Sequence, residues 1–211
     1  RTISFENRFY KTHAQRQRSD REGVRAFWQE REDKGDSVMK ILLHVCCSPC
    51  MLEPLHILRE EYPAARIQGY FYNPNIYPYH EYQLRKDSLM RAMEQLSLSV
   101  HFEEYNLSDY FVAIKDCPGQ EERCRACLEL RLRKTAKKAI REGFTHFTTT
   151  LLVSPYQKHE VIRTSSEIFA KEFDIAFLYH DFRPFFRQGQ IQAAEMGLYR
   201  QKYCGCMESR K

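Results

Sequence analysis

The sequence predicts an α/β domain: a three-layer, Rossmann-like parallel sheet flanked by helices, preceded by a charged N-terminal extension. Two observations predict it. Short apolar runs of strand type alternate along the chain with longer stretches whose apolar residues recur every three or four positions. Turn signals such as Asn73-Pro74 and Gly143 separate them. Strands alternating with helices imply βαβ units and a mostly parallel sheet covered on both faces. The 211 residues suffice for one full domain plus an appendage.

Residues 1–37 read as the extension. They carry many charges and a few aromatics (Phe5, Phe9, Tyr10, Phe27, Trp28), show no strand pattern, and are expected to be helical. Lys34-Gly35-Asp36-Ser37 reads as a hinge, so the domain proper is expected over residues 38–211. The first strand is Val38 to Val45, a continuous apolar run. A helix follows from Pro49 to Glu61, with Ser48 as N-cap and Pro49 at the first helical position. Ala65 to Tyr72 is a second strand and Tyr79 to Leu96 a second helix, with Leu89, Met93 and Leu96 on one stripe. Leu98 to Phe102 is a third strand. Gln120 to Arg141 is a strongly basic helix, stopped by Gly143. Phe144 to Val153 is a fourth strand, Gln157 to Glu172 a helix, and Ile175 to Leu178 a short strand. Gln188 to Tyr199 is the last helix, broken by Gly197.

Composition narrows the function classes. Hydrophobic residues make up 43% and charged residues 29%, ordinary for a globular protein. No apolar run approaches the ~20 residues of a membrane span. No secretory leader pattern precedes the domain, so a reducing cytoplasm is expected, where clustered cysteines favour metal ligation or catalysis over structural disulfides. The net charge of +5 suits a polyanionic partner without requiring one.

The eight cysteines fall in three groups. His44-Val45-Cys46-Cys47-Ser48-Pro49-Cys50 lies where the first strand meets the first helix. Ligands of open α/β sheets bind beyond the carboxyl ends of the strands. Neither GxGxxG nor GxxxxGK[ST] stands there; thiols do, before a helix N-terminus whose free N–H groups favour thiolates or an anionic cluster. The second group is Cys117 with Cys124 and Cys127. The last two are spaced i, i+3 on a helix, facing the same way as Leu128, Leu132, Thr135, Ala136 and Ala139. Two such half-sites can meet at the carboxyl edge of a sheet. Structural zinc, an iron–sulfur cluster and simple packing compete for these four thiols. The adjacent pair Cys46-Cys47 is not a zinc-ribbon knuckle, which favours iron–sulfur. Cys204-Gly205-Cys206 is different. A disulfide across one residue closes a strained ring, so it reads as a redox switch or electron entry port. The alternative is two more metal ligands.

Two further stretches interleave rings with cations: His180 to Gln188, containing Phe182, Arg183, Phe185, Phe186 and Arg187, and Tyr199 to Tyr203. RNA readers combine such groups to stack bases and hold phosphates. The basic helix adds Arg123, Arg125, Arg131, Arg133, Lys134, Lys137, Lys138 and Arg141, for any one of which a solvated face is the default.

HVCCSPC, the Cys-x-x-Cys of RCRACLELRL, TTTLLVSPYQKHE, DFRP and YRQKYCGC occur in this order from Lys40 to Cys206. Together they resemble the signature of the cobalamin-independent epoxyqueuosine reductases, the QueH family. The resemblance implies a HUP-like version of the sheet. It also implies reduction of epoxyqueuosine to queuosine at the wobble position of tRNA, the last step of that modification. It implies a [4Fe–4S] cluster on Cys46, Cys47, Cys124 and Cys127, with an additional iron beside it in some members. Cys204 and Cys206 become a redox-active disulfide and the catalytic pair. The partners are tRNA carrying epoxyqueuosine in its anticodon loop and an electron donor the sequence does not name. The roles of Cys50 and Cys117 stay open: either could ligate an additional metal or be inert, and residues 1–37 lie outside the pattern. Two other readings remain: a zinc-stabilised RNA-binding module, and a thiol–disulfide oxidoreductase acting through Cys204 and Cys206.

Overall fold

The computed structural model describes residues 38–210. The helical extension expected over residues 1–37 lies outside the described residues.

Five strands form one sheet: β1 (Lys40–His44), β2 (Arg66–Phe71), β3 (Val100–Phe102), β4 (His146–Thr149) and β5 (Ala176–Phe177). They lie in the order β3-β2-β1-β4-β5, and every neighbouring pair is parallel. Among the described residues six α-helices flank it: α1 (Ser48–Glu61), α2 (Tyr79–Gln95), α3 (Leu107–Ile114), α4 (Gln120–Arg141), α5 (His159–Phe173) and α6 (Phe186–Glu195). Helix α1 packs against α2 and α6, and α4 packs against α3 and α5. The three-layer α/β class expected from the sequence is the one observed.

Strand β1 is central, which explains its unbroken apolar run. Ile41, Leu42, Leu43 and Val45 are fully buried, each contributing roughly 1.5–3 kcal/mol of hydrophobic stabilisation. Gly69 on β2 stands beside β3, where a Cβ would come within 2.8 Å of Val100 Cγ2. On α4 the stripe Leu128, Leu132, Thr135, Ala136 and Ala139 is buried as its spacing predicts.

Several expectations are corrected. The cap of α1 is Cys47, not Ser48. The Ser48 hydroxyl instead meets Ser88 Oγ of α2 at 2.7 Å, joining the two helices. The run from Phe144 to Val153 is strand only over His146–Thr149, then a 3₁₀ turn over Thr150–Val153. Thr149 Oγ1 accepts the Leu151 N–H at 3.1 Å and turns the chain out of the sheet. Helix α3 was not anticipated; it is short, and Asn106 caps it by accepting the Ser108 N–H at 3.1 Å. Helix α6 starts at Phe186 and ends at Glu195, earlier at both ends than expected. Gly197, at φ +62°, lies beyond its end rather than inside it.

Candidate functional site

The strand order reverses between β1 and β4, so chains leaving their carboxyl ends open a crevice at the place where such sheets bind ligands. Cys46 leaves β1 there and Thr150 leaves β4. The Cys46 N–H donates to Thr150 Oγ1 at 3.1 Å, and the Thr150 hydroxyl donates to Cys46 Sγ at 3.3 Å.

Three sulfurs meet at this corner. Those of Cys46, Cys47 and Cys50 lie within 4.8 Å of one another, a group able to hold a metal ion. Cys47 and Cys50 are buried and Cys46 is half-buried. Their protonation is unequal. Hydrogen bonds from Cys47 and Cys50, against the effect of burial, hold the Cys46 thiol well below the usual range. Burial pushes Cys47 up, and the hydrogen bond to Cys46 pushes Cys50 up. One thiolate is thus held by two thiols that would release protons to a metal.

The corner rests on a hydrogen-bonded base. His44 is fully buried, and burial lowers its pKa to about 4, so it is neutral at ordinary pH. Its Nε2–H donates to the Tyr72 carbonyl at 3.1 Å, which leaves Nδ1 to accept from the Thr149 hydroxyl at 2.9 Å. Asn73 Nδ2 donates to the Val45 carbonyl at 2.9 Å.

A cavity of about 540 Å³ joins the three cysteine groups: Cys46, Cys50, Cys124, Cys127, Cys204 and Cys206 all line it. Cys127 is buried and Cys124 half-buried, one turn apart on the inner face of α4. The tightest sulfur group therefore includes Cys50, whose role the sequence leaves open between a second-metal ligand and an inert thiol. Cys117 is not among the lining residues; its thiol points to the Ala113 carbonyl at 4.0 Å, at the end of α3.

Cys204 and Cys206 are free thiols. A hydrogen bond from Cys206 brings the Cys204 thiol down to about 7, and the same bond pushes Cys206 up. Gln157 Nε2 donates to Cys204 Sγ at 3.7 Å, and Cys206 meets Ser209 Oγ at 3.3 Å.

Sequence reasoning missed three contributors. Arg131, placed by default on a solvated face, is 2% exposed and lines the cavity. Its Nε donates to the Cys127 carbonyl at 3.2 Å. Burial opposes its charge, but Cys127, Cys204 and Cys46 outweigh burial and keep it protonated. Its i+4 spacing from Cys127 was the available signal. Gln201 Nε2 donates to Cys47 Sγ at 2.8 Å and to Cys50 Sγ at 3.6 Å, joining the tail to the corner. Tyr156, 85% exposed, lines the cavity with its ring edge-on to Phe186 at 5.9 Å.

Parts of the expected RNA-facing surface are internal. Phe182 is fully buried and stacks on His180 at 4.4 Å, while Arg183 pairs with Asp181 at 2.6 Å. Lys138 is buried and pairs with Glu142. Phe186, Lys202 and Tyr203 do line the cavity. Among the described residues, no helix is long and apolar enough to cross a membrane.

Comparison with known proteins agrees with this organisation. The family model "Epoxyqueuosine reductase QueH" matches residues 41–211. The chain is 36% identical over 175 residues to the epoxyqueuosine reductase QueH of Dehalococcoides mccartyi, covering 81% of this chain and 92% of that protein. It is 32% identical over 177 residues to that of Thermotoga maritima, covering 80% and 89%. Among solved structures, the U34-tRNA thiolase NcsA from Methanococcus maripaludis, with its [4Fe–4S] cluster, matches at a TM-score of 0.50 and 13% identity. That match covers 78% of this chain and 58% of the thiolase, and shows a shared fold. Cysteine motifs, sheet and sequence matches agree: the chain belongs to the epoxyqueuosine reductase QueH family.

Proposed function

We propose that this protein reduces epoxyqueuosine to queuosine at the wobble position of tRNA, at an iron–sulfur centre held by the thiols of the β1–β4 crevice. The observation that carries the reading is the convergence of six thiols, from three separated segments, on one cavity. Soft thiolates in such number suit an iron–sulfur cluster. Cys46, Cys47, Cys124 and Cys127 would hold a [4Fe–4S] cluster, leaving Cys50 beside it as a thiol for an additional iron. Cys46, Cys124 and Cys127 line the cavity, and Cys47, buried and not among the lining residues, has its sulfur within 4.8 Å of that of Cys46; the start of α1 and the Arg131 guanidinium would balance negative charge. When bound, the cluster supplies single electrons at the cavity.

The chain's own groups complete the chemistry. Removing the epoxide oxygen breaks two C–O bonds, forms a C=C bond and releases water, which consumes two electrons and two protons. The dithiol of Cys204 and Cys206 yields that number of each when it closes to a disulfide. An external reductant, a partner the chain must meet, reopens it. Arg131 offers a buried positive charge for the departing oxygen. At the mouth, the exposed Tyr156 ring can stack on a base splayed from the anticodon loop, and Lys202 stands near for phosphate.

The test is an anaerobic assay of iron- and sulfide-loaded protein on tRNA carrying epoxyqueuosine, followed by nucleoside analysis. Queuosine is the expected product. No conversion by fully loaded protein would overturn the reading. Stoichiometric zinc without iron, in protein never exposed to air, would replace it with a zinc-stabilised RNA-binding module.

A further inference from the structure

After α6 the chain returns to the cavity without α-helix or strand, so neither ladder holds Cys204 and Cys206 in place. Side chains do this instead. Arg85 of α2 is 3% exposed. Its Nε donates to Glu81 Oε1 at 2.8 Å. Its two terminal nitrogens donate to consecutive carbonyls of the tail, Cys204 and Tyr203, each at 3.0 Å. The second Glu81 oxygen accepts the Tyr199 hydroxyl at 2.7 Å. One buried ion pair thus grips the tail at three residues.

The loop before α2 adds two bonds. The Tyr77 N–H donates to the Gly205 carbonyl at 2.8 Å, and the Tyr203 hydroxyl donates to the Tyr77 carbonyl at 2.6 Å. Gly205 sits at φ +123°, where a Cβ would stand 3.1 Å from Ile76 Cγ1 and 3.2 Å from Arg85 Nη1. The turn between the two thiols is pressed directly onto the arginine, and glycine is the residue that fits.

We propose that Arg85 is a positioning residue for the redox pair: its planar guanidinium fixes the Tyr203–Gly205 backbone so that Cys204 and Cys206 face the cavity shared with Cys46 and Cys127. The inference rests on the reading of that pair as the reductant. An arginine fork matches two neighbouring carbonyls while keeping a third donor for Glu81. A lysine ammonium has the charge but not the fork, and its shorter reach spans one carbonyl at most.

The experiment uses holo-protein prepared without oxygen, with Arg85→Lys and the milder Tyr203→Phe, which leaves the ion pair intact. Tryptic cleavage after Lys202 reports release of the tail, and cleavage after the exposed Lys171 on α5 reports general loosening. In Arg85→Lys, cleavage after Lys202 should rise at least about tenfold, from two lost hydrogen bonds to a charged donor, with cleavage after Lys171 unchanged. Iron and sulfide content should stay at the wild-type level, and kcat should fall while KM for tRNA holds within about twofold. Tyr203→Phe should shift both readouts the same way, by less. Equal acceleration at Lys202 and Lys171, or none at Lys202, would overturn the proposal. If Arg85→Lys does not fold, Tyr203→Phe decides by the same two sites. If wild-type protein makes no queuosine, the reductase reading fails by itself, and the cleavage pattern still judges whether Arg85 holds the Tyr203–Gly205 backbone.

Discussion

The strand-end corner and the C-terminal tail bring thiols to one cavity by opposite means. Cys46, Cys47 and Cys50 sit where a strand buried from Ile41 to His44 becomes a helix, and their positions follow from backbone ladders. Cys204 and Cys206 sit on a segment without strand or α-helix, held by Arg85, Tyr77 and Gln201. Both groups share one electrostatic device: a sulfur pulled down by hydrogen bonds from neighbouring thiols that are themselves pushed up. The difference lies in access. Cys47 and Cys50 are buried, whereas Cys204 is exposed. A buried, backbone-fixed set suits holding a metal. An exposed, side-chain-tethered pair suits exchange with an outside reductant.

The largest effect should come from the corner. Cys46→Ser is expected to abolish iron and sulfide binding and to lower turnover by more than about 100-fold, since even groups behind metal ligands are worth 10–100-fold. Cys204→Ser should keep wild-type iron and sulfide while multiple turnover with a physiological reductant collapses. Metal analysis and nucleoside assay of the two variants test the division. Loss of iron in Cys204→Ser would make the tail part of the cage. Full multiple turnover there would remove its role as reductant.

A middle-sized effect concerns pH. Only a thiolate attacks an alkylating agent. With Cys204 at about 7, against an ordinary thiol value of 9, its alkylation should rise about tenfold per pH unit below that midpoint and level off above it. The shift comes first from the Cys206 hydrogen bond, so Cys206→Ala should move the midpoint upward. Peptide-resolved mass spectrometry of iodoacetamide-treated protein reads it. A midpoint unmoved in Cys206→Ala would show that the tail does not share the corner's device.

The same contrast separates what was legible in the sequence from what was not. The corner was readable because local order sets it: an apolar run marks β1, Pro49 marks the start of α1, and the thiols fall between them. The i, i+3 spacing placed Cys124 and Cys127 on one inner face. Cys50, left open in the sequence as a ligand for a second metal, is the informative case. Its place in the tightest sulfur group goes with Cys47 being the cap of α1, a position the sequence assigns to Ser48. The tail's restraints were not legible, because Arg85 lies 119 positions from Cys204 and nothing in its own neighbourhood marks it. Arg131 was hidden by charge: a cation on a basic helix reads as solvated until tertiary packing turns it inward.

The smallest effect tests whether the cavity mouth belongs to binding or to chemistry. Tyr156 adjoins Gln157, which donates to Cys204, so the mouth lies on the tail's side of the cavity. The tyrosine is 85% exposed, so truncating it costs little packing, within about 0.5 kcal/mol of stability. Stacking of a base on an aromatic ring is worth about 1–3 kcal/mol, so Tyr156→Ala should raise KM for tRNA by about 5- to 150-fold. Tyr156→Phe should restore it, because stacking needs the ring and not the hydroxyl. If kcat falls instead and KM holds, Tyr156 acts on the tail thiols through Gln157. The exposed side of the cavity would then belong with the redox pair, and the boundary between holding and exchange would run through the mouth itself.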